Sequence, residues 1–189
     1  MLKGRTRVLV GVATVAAASA VAATAAAAVP ETAKGPGQET TAHISGAGRM
    51  AFGAKDDDVE VKVDAHAVYG GGAFPTRAWG TVRITHLMAQ PGGQPPKFNW
   101  GDLAVDCVTA GGPNATVTGI LKDAGPYWKK EIGTRMGVSF YVAGRHGGPS
   151  RIGLSGATRF MGFGSLTKCM APAAASPVIR GGFHLKVSG

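Results

Sequence analysis

Hydrophobic and polar residues alternate with a period of two along much of the chain. Val59, Val61, Val63, Ala65 and Ala67 interleave with Glu60, Lys62, Asp64 and His66, the signature of a strand with one face buried. Val82 and Ile84 alternate with Thr81, Arg83 and Thr85. Leu103, Val105 and Cys107 share one face, which places the Cys107 sulfur toward the core. Val117 and Leu121 stand among Thr116 and Thr118, and Val138, Phe140 and Val142 make another inner face. Phe183, Leu185 and Val187 close the chain opposite His184 and Lys186.

Glycine and proline punctuate these runs at Gly70-Gly71-Gly72, Pro91-Gly92-Gly93, Gly111-Gly112-Pro113, Gly147-Gly148-Pro149 and between Pro172 and Pro177. No stretch reads as a helix of about ten residues or more. Short strands between Gly/Pro loops predict an all-β fold: one antiparallel β-sandwich or barrel-like domain, linked by a disulfide.

The first residues follow a different pattern. Lys3, Arg5 and Arg7 precede an uncharged stretch from Val8 to Val29 that ends in Ala-x-Ala at Ala26 to Ala28, the layout of an export signal over residues 1–28. The stretch is rich in Ala, Thr and Ser rather than Leu and Ile, so it inserts weakly as an anchor. Residues 29–42 are polar, with Pro, Gly and Thr, and read as a disordered lead-in to a domain spanning 43–189. A secreted, extracellular protein with no stable membrane anchor after signal cleavage is the expectation.

Export gives the two cysteines their meaning. Cys107 and Cys169 are the only ones, and in an oxidising compartment they read as a structural disulfide rather than a redox pair, since no Cys-x-x-Cys occurs. Losing Lys3, Arg5 and Arg7 lowers the formal net charge from +9 to +6. The remaining cations are scattered, without the dense, aromatic-interleaved stripe of a specific nucleic-acid binder. They suit a general preference for anionic surfaces.

Catalytic motifs are missing. Gly46-Ala47-Gly48-Arg49-Met50-Ala51 matches a loose dinucleotide fingerprint but lacks the strand and helix that give it function, and reads as a β-bulge or turn. Gly153-Leu154-Ser155-Gly156 lacks the spacing of a nucleophile elbow. Asp56-Asp57-Asp58 lacks the alternation of a calcium loop and reads as a solvated turn. The histidines, His43, His66, His86, His146 and His184, fall one per segment. Asp64 and His66 share an outer face; with His184 they would make a zinc or copper site if their strands were neighbours. Sequence does not establish that adjacency, so neither a metal nor a cofactor is assigned.

Two surface patches stand out as ligand contacts. Tyr127, Trp128, Lys129 and Lys130 set rings beside cations after Gly125-Pro126, a combination suited to a glycan or an anionic polymer, although rings in such a fold more often fill the core or cap it. Arg145, His146 and Arg151 belong to a basic Gly/Pro loop.

The segment Asp106-Cys107-Val108-Thr109-Ala110-Gly111-Gly112-Pro113-Asn114-Ala115-Thr116-Val117-Thr118-Gly119-Ile120 resembles the central motif of small secreted actinobacterial proteins commonly called repetin. Arg135-Met136-Gly137-Val138-Ser139, Lys168-Cys169 and the closing Gly182-Phe183-x-Leu185-x-Val187 follow in the same order, so the likeness runs from about Ser45 to the C-terminus. It implies an exported, disulfide-linked β fold and brings no catalytic residues with it.

Three functional classes follow. The first is a non-catalytic module that binds an extracellular anionic polymer, glycan or protein. The second is a secreted inhibitor or interaction protein presenting the rigid basic loop. The third is a hydrolase-type enzyme built from Asp64 with His66 or His146. The first is preferred because it needs no motif that the chain lacks.

Overall fold

The computed structural model describes residues 39–51, 56–144, 147–155 and 166–189. The export segment and the lead-in up to residue 38 lie outside them. Eight strands follow in chain order: β1 (Thr40–Met50), β2 (Asp58–Tyr69), β3 (Arg77–Met88), β4 (Lys97–Gly111), β5 (Asn114–Ala124), β6 (Arg135–Tyr141), β7 (Arg151–Leu154) and β8 (Ser176–Ser188). Each pairs antiparallel with the next, and β1 pairs with β8, so the sheet closes into an up-and-down barrel. Of the two expected architectures, the barrel is the one formed.

Period-two patterning explains the interior. Val59, Val61, Val63, Ala65, Ala67 and Tyr69 of β2 all point inward and are buried. Every strand contributes to one core, from Ile44 of β1 through Ile84, Val108, Leu121 and Phe140 to Ile152 of β7 and Phe183 of β8. Phe140 and Phe183 meet edge to face at 4.8 Å between ring centroids. The interior of an eight-stranded barrel is narrow, and these apolar residues line it, with the buried Asn99 of β4 among them. The outer face of β2 carries Asp58, Glu60, Lys62, Asp64 and His66, the reverse of the apolar exterior of a membrane barrel.

Several sequence expectations shift. β1 begins at Thr40, so residues 40–42 belong to the barrel rather than to the lead-in. The Gly46–Ala51 segment is mostly strand, with one irregularity in the β1–β8 register between Arg49 and Met50. β7, only four residues long, had no visible period. Val187 pairs with the buried Ala42 but is 48% exposed near the end of its strand.

Cys107 faces outward, not toward the core. A register shift separates Val105 from Cys107 where β4 meets β5. The extra residue reverses the alternation, so Val108 takes the inward position opposite Val117 and Val138. Cys107 is then opposite Thr118, which is opposite Gly137, on the outer face. It is nonetheless fully buried, because residues 166–174 cross this face as a strap.

Cys107 bonds to Cys169 in that strap, with Cα atoms 5.3 Å apart. The Cys169 amide donates to the Thr118 hydroxyl oxygen at 3.2 Å. The strap lies so close that a Cβ on Gly137 would come within 2.7 Å of the Met170 carbonyl oxygen. One on Gly153 would come within 2.2 Å of that of Ala173. Glycine at these two positions lets an irregular segment lie flat on the sheet.

The bridge spans a sequence separation of 62 residues, worth about 4 kcal/mol in the chain-entropy model. Reduction, or the paired change Cys107→Ser with Cys169→Ser, is expected to lower the melting temperature by roughly 10 °C. It should also raise amide exchange at Gly137 and Gly153, under the strap, before the core opens. Calorimetry with hydrogen exchange checks both; an unchanged melting temperature would contradict this role.

Candidate functional site on the outer wall

Among the described residues, the largest cluster of histidines and rings lies on the outer wall. Residues directly opposite each other on paired strands share a face, and β1, β2 and β3 align His43 with His66 and His66 with Trp79. The imidazoles of His43 and His66 are parallel, 4.0 Å apart. Trp79 lies parallel to His66 at 5.2 Å, and the Arg77 guanidinium sits 4.4 Å above the Trp79 ring centre. Four side chains thus form one continuous stack across three strands.

Asp64 stands beside this stack, one row along, opposite Ser45. Its Oδ1 accepts from His43 Nε2 at 2.9 Å and lies 3.1 Å from His66 Nε2. The hydrogen bond from His43 holds the Asp64 carboxyl below its ordinary value of 3.8; the little burial it has opposes this, and the nearby charges of His66 and His43 assist. The folded value being lowered, any stabilisation from this carboxylate is present above its unfolded value and lost as pH falls through the folded one.

The β3–β4 side of the wall repeats the pairing of cation and ring. Arg83 lies 4.5 Å over the Trp100 ring and also donates to Asp102 at 2.7 Å. At the barrel rim, Lys97 Nζ is 5.7 Å from the centre of the Tyr127 ring; Lys97 is opposite Met88, in the alternation of Asn99 and Gly101 rather than that of Trp100. Trp100 is opposite Thr85, six residues along β3 from Trp79, or about 20 Å of strand.

The two patches expected from sequence lie far apart. Tyr127, Lys129 and Lys130 are exposed after β5. Trp128, open to either a ligand-contact or a core-filling reading, is half-buried: it packs against the core and over Gly101. Arg151 borders a shallow depression of about 350 Å³ with Asn114, Tyr141 and Pro149. Asn114 and Ala124 mark the two ends of β5, so Arg151 and the 127–130 patch are separated by roughly 30 Å. Arg145 and His146 lie outside the described residues.

Other candidates are structural. Asp57 is not solvated: it pairs with His86 at 2.7 Å and accepts from the Ala89 amide at 2.9 Å. Ser155 is buried and accepts from the Gly137 amide at 2.7 Å. His184 is opposite Ser45, with β1 between it and Asp64; His43 is the histidine that reaches Asp64 instead. The signal for this was only the outward period of β2, since His43 sits in a strand without clear alternation.

Comparison with protein-family models, curated proteins and solved structures finds no significant match to this chain. Among the described residues, no helix is long and apolar enough to cross a membrane.

The Asp64 geometry makes a direct prediction. The Asp64 carboxyl, followed by NMR, is expected to titrate below 3.8, and His43→Gln should move its midpoint upward. A midpoint at or above the ordinary value in the unmodified protein would contradict the contact.

Proposed function

We propose that this protein is a secreted, non-catalytic β-barrel module that binds an anionic extracellular polymer, such as an acidic glycan, along the outer wall of β3 and β4. The observation that carries this reading is the pair of cations held over rings: Arg77 on Trp79 and Arg83 on Trp100. A cation over an exposed ring gains about 0.5–1 kcal/mol. More important for binding, the ring fixes where the charge sits, so less side-chain freedom is lost when an anion arrives. Set about 20 Å apart along the wall, the two pairs suit an extended chain better than a small molecule.

Export of the mature domain is part of this reading. It is supported by the layout of residues 1–28 and by a disulfide compatible with an oxidising compartment. The positive balance of the chain supports attraction to anionic surfaces. Catalysis is disfavoured because Asp64 and His66 lie on an open wall, with side chains 67% and 34% exposed, whereas acid–base chemistry gains from a site that excludes water.

The mature protein is expected to be retained on immobilised heparin and alginate at low salt and to elute as salt rises. The double change Arg77→Gln with Arg83→Gln should elute earlier, and Trp79→Leu should also weaken retention by releasing Arg77. Flow-through of the unmodified protein on both matrices at low salt would overturn the reading.

A further inference from the structure

We infer that His43, Asp64 and His66 form a binding site for a divalent transition-metal ion of the zinc or copper class on the outer face of β1 and β2. The ligand atoms of the three residues all lie within 4.8 Å of one another. The two Nε2-to-Oδ1 separations are 2.9 and 3.1 Å. With metal–ligand distances of about 2.1 Å, a tetrahedral site has neighbouring ligands about 3.4 Å apart. Two edges of the triangle are therefore already close to the required size.

The donor set decides the class of ion. Two imidazole nitrogens and one carboxylate oxygen suit zinc or copper, whereas calcium and magnesium take oxygen ligands. Three protein ligands on an open surface leave a fourth position for water or for a donor from another molecule. Cross-strand placement supplies the rest: His43 and His66 occupy directly opposite positions in the ladder, so the backbone holds both rings at one spot.

Binding rearranges the stack. A carboxylate only accepts, so an Nε2 bonded to Asp64 Oδ1 carries a hydrogen in the free protein. To ligate, each neutral ring keeps its proton on Nδ1 instead, and a charged ring releases one proton to solvent. The parallel imidazoles must also splay so that both lone pairs converge on the ion. Side-chain exposures of 40% and 34% leave room for that movement. Because Trp79 stacks on His66, the movement reaches a fluorescent ring.

The surroundings set limits on affinity. Lys186 of β8 is opposite His43, Lys62 stands two residues before Asp64 on the same face, and Arg77 caps the stack beyond Trp79. These charges oppose a dication, and they also distinguish the site from the cation-on-ring pairs proposed to hold an anion.

The test uses the tag-free mature protein, stripped with a chelator and titrated with zinc chloride and, separately, with copper(II) chloride. Calorimetry is expected to show one ion per chain at micromolar metal, with copper bound more tightly than zinc. Copper should quench part of the tryptophan emission, and Trp79→Phe should remove that quenching while leaving the binding heat. His43→Gln, His66→Gln and Asp64→Asn should each weaken binding by at least about tenfold, since even the outer partners of a metal site cost that much when lost. His184→Gln should leave affinity unchanged. Melting temperatures within a few degrees of the parent confirm that the variants fold. No binding at micromolar metal, or binding insensitive to all three ligand changes, would overturn the assignment.

Discussion

Pairing of β1 with β8 is the constraint on which the rest of the structure depends. It closes the sheet and sets one face of each strand against a common interior. Apolar residues from all eight strands line that interior. Among the described residues, the clusters of rings, cations and imidazoles lie on the outside. The strap held by Cys107–Cys169 covers the β5–β7 side, and the charged and aromatic wall of β1–β4 is left open.

The open wall works through register. Closure fixes which residues face each other, and on β1, β2 and β3 that places His43, His66 and Trp79 in one row. The same registers seat Trp100 opposite Thr85 and Arg83 opposite Asp102. Aromatic rings then hold cations in place on one part of the wall, while on another a carboxylate draws two imidazoles together. Both arrangements depend on strands that are not free to slip, because a shift by one residue would turn the charged face inward.

Much of the fold was legible from the period of two, for a physical reason. In β2 each inward residue is Val, Ala or Tyr and nearly every outward one is charged or polar, so alternation is clean. It fails where residues are small or the strand is short. Gly46, Ala47 and Gly48 hide β1, and four residues cannot display a period in β7. Cys107 was assigned to the wrong face because a bulge adds a residue without leaving a mark in the composition. The site was less legible still. His43 and His66 are 23 positions apart in the chain, and only pairing makes them neighbours. Trp128 could be read both as a ligand contact beside cations and as a ring that fills the core, and it packs against the core.

The central claim is that this barrel binds from its outer wall. Amide chemical-shift mapping tests it most directly, with an acidic oligosaccharide such as a heparin fragment added to the isotope-labelled mature domain. The account predicts shifts concentrated at Arg77, Trp79, Arg83 and Trp100, with the amides of Val117, Leu121 and Phe140 little changed. Dominant shifts at those core positions would mean that the ligand enters the barrel, and would contradict it.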